Sequence, residues 1–168
     1  MTGPIDLLLV RGATGVGKRE AVQLLRPQLI NGAVIDVEMF RDMFARPSPT
    51  DRQQHLIAMH VARAAAMRFF HQQVRPVIII DTFTSGKLTG FVADLSCTYR
   101  IASLFMESNA LRERLLRRGA STRDIESATM INAEIAARRH ERDKPIDTTG
   151  RDAEAVAASL RRWLRAPE

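Results

Sequence analysis

The run Gly12-Ala13-Thr14-Gly15-Val16-Gly17-Lys18, set directly behind the apolar stretch 5–10, limits this chain more than any other feature. Glycines at this spacing let successive backbone N–H groups turn inward around an anion, and a helix opening at the lysine aims the positive end of its dipole at the same point. The local order is therefore strand, loop, helix, with residues 19–29 as the amphipathic helix and Lys18 as a mobile charge over the loop. Such a cradle suits the β- and γ-phosphates of a nucleoside triphosphate. The predicted contacts are Gly12, Ala13, Thr14, Gly15, Val16, Gly17, Lys18 and Arg19. The alternative is a glycine-rich turn that merely exposes a lysine.

One position departs from this pattern. A Ser or Thr ordinarily follows the lysine and lends its hydroxyl to Mg²⁺, whereas Arg19 stands there in this chain. Mg²⁺ keeps several waters and relies on one or two carboxylates plus substrate phosphates, so losing one hydroxyl does not by itself abolish metal binding.

The rest of the composition narrows the setting. At 168 residues the chain is the length of one domain and can bury a core. Its apolar runs, such as 7–10 and 77–80, are strand-length and far short of the roughly 20 residues of a membrane span. Residues 1–10 lack the basic start of a secretory leader, so a cytoplasmic protein is expected. Cys97 is the only cysteine; it forms no intramolecular disulfide and reads as a small buried hydrophobe. The net charge of +6, carried mostly by arginine, suits phosphate-bearing ligands, nucleic acid among them. Aromatic residues are too few and too dispersed for a stacking single-strand binder.

Apolar runs alternate with helical patterns, which predicts an α/β protein with a parallel sheet. Strands are expected at 5–11, 33–37, 77–81, 99–106 and 145–148, and helices at 18–30, 38–44, 51–74, 85–95, 109–118, 122–139 and 152–164. The unbroken apolar run 77–80 predicts an interior strand covered on both faces. Pro47 and Pro49 break the chain before the long helix, with Thr50 as its predicted cap. That helix carries two apolar stripes, one through Leu56, Met59, Met67 and Phe70 and one through Ile57, Val61, Ala65 and Phe69, which predicts packing on more than one side. His55, His60 and His71 have neither an i, i+4 histidine nor an adjacent carboxylate, and read as structural or surface residues.

Ligands of open parallel sheets bind beyond the carboxyl ends of the strands, and three acids fall there. Asp36 and Glu38 share one side at the end of the second strand, with Arg41 one helical turn on. A carboxylate there can accept the proton of an acceptor hydroxyl while Arg41 holds an anionic group; the alternative is a helix N-terminus with a favourable acid and a surface arginine. Asp81 follows four apolar residues, the form of a strand whose carboxylate holds Mg²⁺ or its waters or orients an acceptor. A turn or capping aspartate is the alternative.

Together these stations resemble the P-loop kinases of small molecules and nucleic-acid ends, a group that includes adenylylsulfate kinase, polynucleotide 5′-kinase, chloramphenicol phosphotransferase and zeta-type toxins, over nearly the whole chain. Ile35-Asp36-Val37-Glu38-Met39-Phe40-Arg41 is similar to the adenylylsulfate kinase pattern of two spaced aspartates and an arginine, with Glu38 in place of the second aspartate. The resemblance implies Glu38 as general base, Asp36 as its rival, and Arg41 as the acceptor-binding arginine. Ile80-Asp81-Thr82 resembles the strand-end pair of polynucleotide kinase, where the aspartate orients the acceptor-site arginine. Leu111-Arg112-Glu113-Arg114-Leu115-Leu116-Arg117-Arg118-Gly119 resembles the helix that opens the lid, which implies that Arg118 reaches the transferred phosphoryl group with Arg114 or Arg123 assisting. Arg114, Arg117 and Arg118 also share a helix face that would serve equally as an exposed basic surface. Lys144-Pro145-Ile146-Asp147-Thr148-Thr149-Gly150 is similar to the last strand and loop, which pass near the adenine. No C-x-x-C occurs in the lid region, so a zinc-bearing lid is excluded.

The resemblance implies a three-layer α/β P-loop NTPase fold, nucleoside-monophosphate-kinase-like, with a five-stranded parallel sheet of order 2-3-1-4-5 flanked by helices. It implies a single domain over 1–168 with a small helical lid around 119–142. The implied activity is ATP-dependent transfer of the γ-phosphoryl group to a hydroxyl of a small molecule or nucleic-acid end, with Mg²⁺ at Asp81 and Asp36. Two other classes stand beside it: a degenerate nucleotide-binding or regulatory module, for which Arg19 argues, and an ATPase or GTPase switch. Thr82 in place of the water-polarising glutamate, and the lack of an Asn-Lys-x-Asp motif, argue against the switch.

Overall fold

Five parallel strands ordered β2-β3-β1-β4-β5 form the sheet in a computed structural model that describes residues 5–138 and 140–166. In chain order the elements are β1 (Leu7–Gly12), α1 (Lys18–Leu25), β2 (Ala33–Asp36), α2 (Val37–Arg41), α3 (Arg52–His71), β3 (Val77–Asp81), α4 (Ser85–Ala93), β4 (Tyr99–Phe105), α5 (Ser108–Arg117), α6 (Thr122–Ala137), β5 (Asp143–Asp147) and α7 (Ala153–Arg165). The α/β class and the parallel sheet are as the sequence predicts, and the strand order is the one that the resemblance implies. β1 lies at the centre, with Leu9 in register with Ile79 on one side and Ile101 on the other.

The period of two along the strands sorts the core into two layers. Leu8, Val10, Ile78, Ile80 and Leu104 face one way, against α1, α5 and α7. Leu7, Leu9, Val77, Ile79 and Ile101 face the other, against α3 and α4. β3 is buried along Val77 to Ile80 and interior to the sheet, as its unbroken apolar run requires. Cys97 is half-buried against the second layer, and burial beside the Asp6 carboxylate pushes its thiol up to about 11. Among the described residues no helix is long and apolar enough to cross a membrane.

The departures from expectation have local causes. α1 stops at Leu25 instead of running to residue 30 because Pro27 has no N–H to continue the ladder, and a 3₁₀ turn, Arg26–Gln28, takes over. β2 ends at Asp36 because that carboxylate caps α2, accepting the Glu38 amide at 3.1 Å. The cap of α3 is Asp51, not Thr50. Its carboxylate serves two amides, those of Gln53 at 2.8 Å and Gln54 at 3.2 Å, and its charge complements the helix dipole. α3 also packs on one side only. Ala58, Ala62 and Ala66, with Met59 and Phe70, form the inward stripe and let the helix lie close to the sheet, which leaves Ile57, Val61 and Phe69 exposed. β5 begins at Asp143, two positions before its predicted start. α6 ends at Ala137; the predicted end at residue 139 lies outside the described residues.

Candidate functional site

The turn after β1 is built too tightly for side chains. A Cβ on Gly12 would lie 2.7 Å from the Leu104 carbonyl oxygen, and Gly15 holds φ +93°, where a Cβ would come within 2.9 Å of Leu115 Cδ2. Gly17, also at φ +93°, starts α1 without a side-chain cap, so the first amides of that helix stay open to an anion. Lys18 curls back over the loop and donates from Nζ to the carbonyls of Gly12 at 2.7 Å and Ala13 at 2.8 Å. Burial lowers this ammonium to about 8 from its ordinary 10.5, against the opposing pull of the Asp81 carboxylate and, further down, that of Asp36.

Arg19 reaches from the first turn of α1 across to the end of β2. Its Nε pairs with Asp36 Oδ2, and its Nη2 pairs with Glu38 Oε2 and lies 3.3 Å from Asp36 Oδ1. Arg41 takes the other oxygen of Glu38. Both acids at the end of β2 are thus met by guanidinium groups, two against two, and the hydrogen bond to Asp36 raises Arg19 above its ordinary range.

These residues do not fit Mg²⁺ at the loop end. The ligating hydroxyl is absent, and a metal ion at Asp36 would have to displace the Arg19 guanidinium already paired there. Among the described residues no group of three or more His, Cys, Asp or Glu is placed to hold a metal.

Asp81, at the end of β3, meets a residue that the sequence pattern assigns to structure or surface. His55 Nε2 lies 2.9 Å from Asp81 Oδ2, and the two side chains are only 12% and 10% exposed. Neither atom has an aligned hydrogen bond. The available signal was topological. α3 must run back to the start of β3, so its N-terminal turn, with His55, sits at the carboxyl edge of the sheet, while His71 at its other end does not. Lys87, in the first turn of α4, belongs to the same neighbourhood. Burial lowers its ammonium, the Asp81 carboxylate raises it, and Arg52 and Arg41 lower it further.

From the opposite side α5 brings two of the three predicted lid arginines to the loop. Arg118 Nη2 donates to Glu20 Oε1 at 2.7 Å, and Arg114 lies 3.7 Å from the same oxygen and beside Gly17. Burial works against the Glu20 charge, but the Arg118 hydrogen bond and the nearby guanidinium charges hold its carboxyl below the usual range. Arg117 turns away to Glu113 at 3.8 Å, and Arg123 is exposed at the start of α6.

Beneath the loop lies a network absent from the sequence reading. Arg11, 1% exposed, donates to Ser103 Oγ, to Asp143 Oδ2 at 3.0 Å and to the Arg138 carbonyl at 2.8 Å. Ser103 Oγ in turn donates to Asp143 at 2.7 Å. An arginine closing an apolar strand was the one available sign, because such a charge needs a buried partner.

No protein-family model and no curated protein sequence matches this chain. Solved structures do. The chain is similar to APS kinase CysC of Mycobacterium tuberculosis, solved with AMPPNP and APS (TM-score 0.72, 14% identity, 98% of this chain and 100% of that one). It is similar to the tunicamycin resistance protein of Deinococcus radiodurans (TM-score 0.70, 20% identity, 98% and 99%) and to a sugar kinase of Janibacter sp. HTCC2649 (TM-score 0.72, 12% identity, 96% and 95%). At such identities the likeness speaks to architecture, and that architecture, with its sheet order and its glycine loop after β1, is the fold of the P-loop kinases.

Proposed function

We propose that this protein is a phosphotransferase that moves the γ-phosphoryl group of ATP to a hydroxyl of an anionic acceptor. The observation that carries this reading is the preformed phosphate loop under Lys18, with Asp81 the carboxylate that acts most strongly on that ammonium and His55 beside it. Transfer of this kind needs positioning and charge neutralisation more than covalent help.

In this reading the amides of residues 12–18 hold the β- and γ-phosphates and Lys18 leaves its carbonyl partners for them. Arg118 and Arg114 exchange Glu20 for the phosphoryl group, and Arg19 supplies charge at the loop end. The acceptor oxygen attacks γ-phosphorus, the bond to the β,γ-bridging oxygen breaks, ADP departs, and the hydroxyl proton passes to a strand-end carboxylate. Asp36 and Glu38, paired with Arg19 and Arg41, are the carboxylates nearest the loop end for that task, and Asp81 beside His55 is the other candidate. Arg41, Arg52 and Lys87 favour an acceptor bearing phosphate or carboxylate, a nucleic-acid end being one such compound.

The test is transfer of labelled γ-phosphate from ATP to paired neutral and anionic alcohols, glycerol against glycerol 3-phosphate and glucose against gluconate, by wild type and Lys18→Ala. Unchanged turnover in the variant removes the assignment. A second reading, a nucleotide-binding module without transfer, is favoured by one observation: Asp36 and Glu38 are both already engaged by guanidinium groups. Tight ATP binding with no transfer across the panel selects it.

A further inference from the structure

The phosphate loop carries its own cation. Position 19 follows the loop lysine, where a hydroxyl would ligate Mg²⁺, and here it holds a guanidinium fixed on both sides by Asp36 and Glu38. Arg41 holds the far oxygen of Glu38, so that carboxylate cannot swing away without breaking a second ion pair, and Asp36 is held by the Glu38 amide it caps. The three Arg19 bonds use Nε and Nη2. Nη1 makes none of them, and it is the corner of the planar fork left to meet an oxygen of the nucleotide. Arginine keeps its charge at any pH at which the protein folds, and its fork matches phosphate geometry. Asp36 and Glu38 then act as the clamp that orients this charge, not as ligands of a metal.

We propose that Arg19 is the resident cation of this nucleotide site, so that nucleoside triphosphate binds there without a divalent ion. The inference rests on reading the loop as a nucleotide site, and it adds that the charge conventionally brought by Mg²⁺ is built into the chain.

The experiment is calorimetric titration of ATP into the full-length protein, once in excess Mg²⁺ and once in EDTA, with wild type, Arg19→Ser, Arg19→Lys and Lys18→Ala. Thermal unfolding of each unliganded variant checks that it folds. In wild type the two dissociation constants should agree within about threefold. In Arg19→Ser, which restores the hydroxyl and removes the cation, affinity in EDTA should fall at least ~10-fold and Mg²⁺ should recover most of it. Arg19→Lys keeps one charge without the fork and should lie between. A wild-type affinity that drops ~10-fold or more on removing Mg²⁺ overturns the inference while leaving the nucleotide site standing, as does Arg19→Ser binding like wild type in EDTA. No ATP binding by wild type in either condition overturns both. Lys18→Ala should lose affinity in both buffers; if it does not, the heat arises elsewhere and both readings fall.

Discussion

Lys18 should take up a proton when the nucleotide binds in mildly alkaline solution. In the free protein burial lowers its ammonium to about 8, so near pH 9 about nine-tenths of it is neutral. Phosphate oxygens against Nζ favour the charged form and drive the group back up. A phosphomonoester has already lost its second proton well above its pKa of about 6, so the ligand contributes little in this range. Binding should therefore absorb ~0.9 proton per nucleotide near pH 9, ~0.5 near pH 8 and almost none near pH 7, with affinity falling up to ~10-fold per pH unit above about 8. Calorimetry in two buffers of different ionisation enthalpy reads the proton count directly, and Lys18→Met removes the residue that should account for it. The free protein carries the mirror image. Its folded value lies below the ordinary 10.5, so the unfolded chain binds more protons between about pH 8 and 10.5 and stability rises with pH through that window, by up to ~3 kcal/mol relative to Lys18→Met. Full ATP binding near pH 9 with no proton uptake would refute the argument, since Lys18 would then be either charged already or not in contact with phosphate.

His55→Ala should lower transfer by roughly 10- to 100-fold while ATP affinity stays within about twofold, because His55 meets Asp81 and not the loop; equal turnover would remove it from the reaction. Arg11→Met leaves Asp143 buried without its counter-charge and should cost ~3–5 kcal/mol in urea unfolding, much of it recovered by adding Asp143→Leu. A single variant within ~1 kcal/mol of wild type would show that the pair is not structural. Gly15→Ala forces a side chain into a left-handed position 2.9 Å from Leu115 and should lower the melting temperature by roughly 5 °C and weaken ATP binding; no change in either would mean that the loop relaxes freely.

The parallel sheet was legible because its signals are local and redundant, unbroken apolar runs at β1 and β3, a glycine loop, then helical periodicity, whereas its strand order was implied only by the resemblance to P-loop kinases. Lys18, Asp36, Glu38, Arg41 and Asp81 were legible as candidates for the same reason, each lying at a strand end or in the loop or helix that follows it. What each one touches was not. Arg19 could be seen to lack a hydroxyl, but its pairing with Asp36 and Glu38 depends on how far an arginine reaches across two elements that are neighbours only through β3 and β1. His55 looked unpartnered because its carboxylate is 26 positions away and arrives only when α3 lies antiparallel to the strands. The two stripes of α3 misled because periodicity counts apolar side chains without weighing size, and small alanines won the face that needed close approach.

The Arg11 network bears on how the chain is made. Arg11 belongs to the first strand of this sheet in chain order, yet its counter-charge sits in β5, and Arg138 supplies a further carbonyl to its hydrogen bonds. A nascent chain that has released β1 through β4 must either hold a bare guanidinium in a half-built core or keep β1 loose, and desolvation favours the second. The floor of the phosphate loop is therefore settled only once β5 has been released. Truncated nascent chains ending before residue 143 should leave β1 open to protease, and only chains that have released β5 should hold the loop in its final shape.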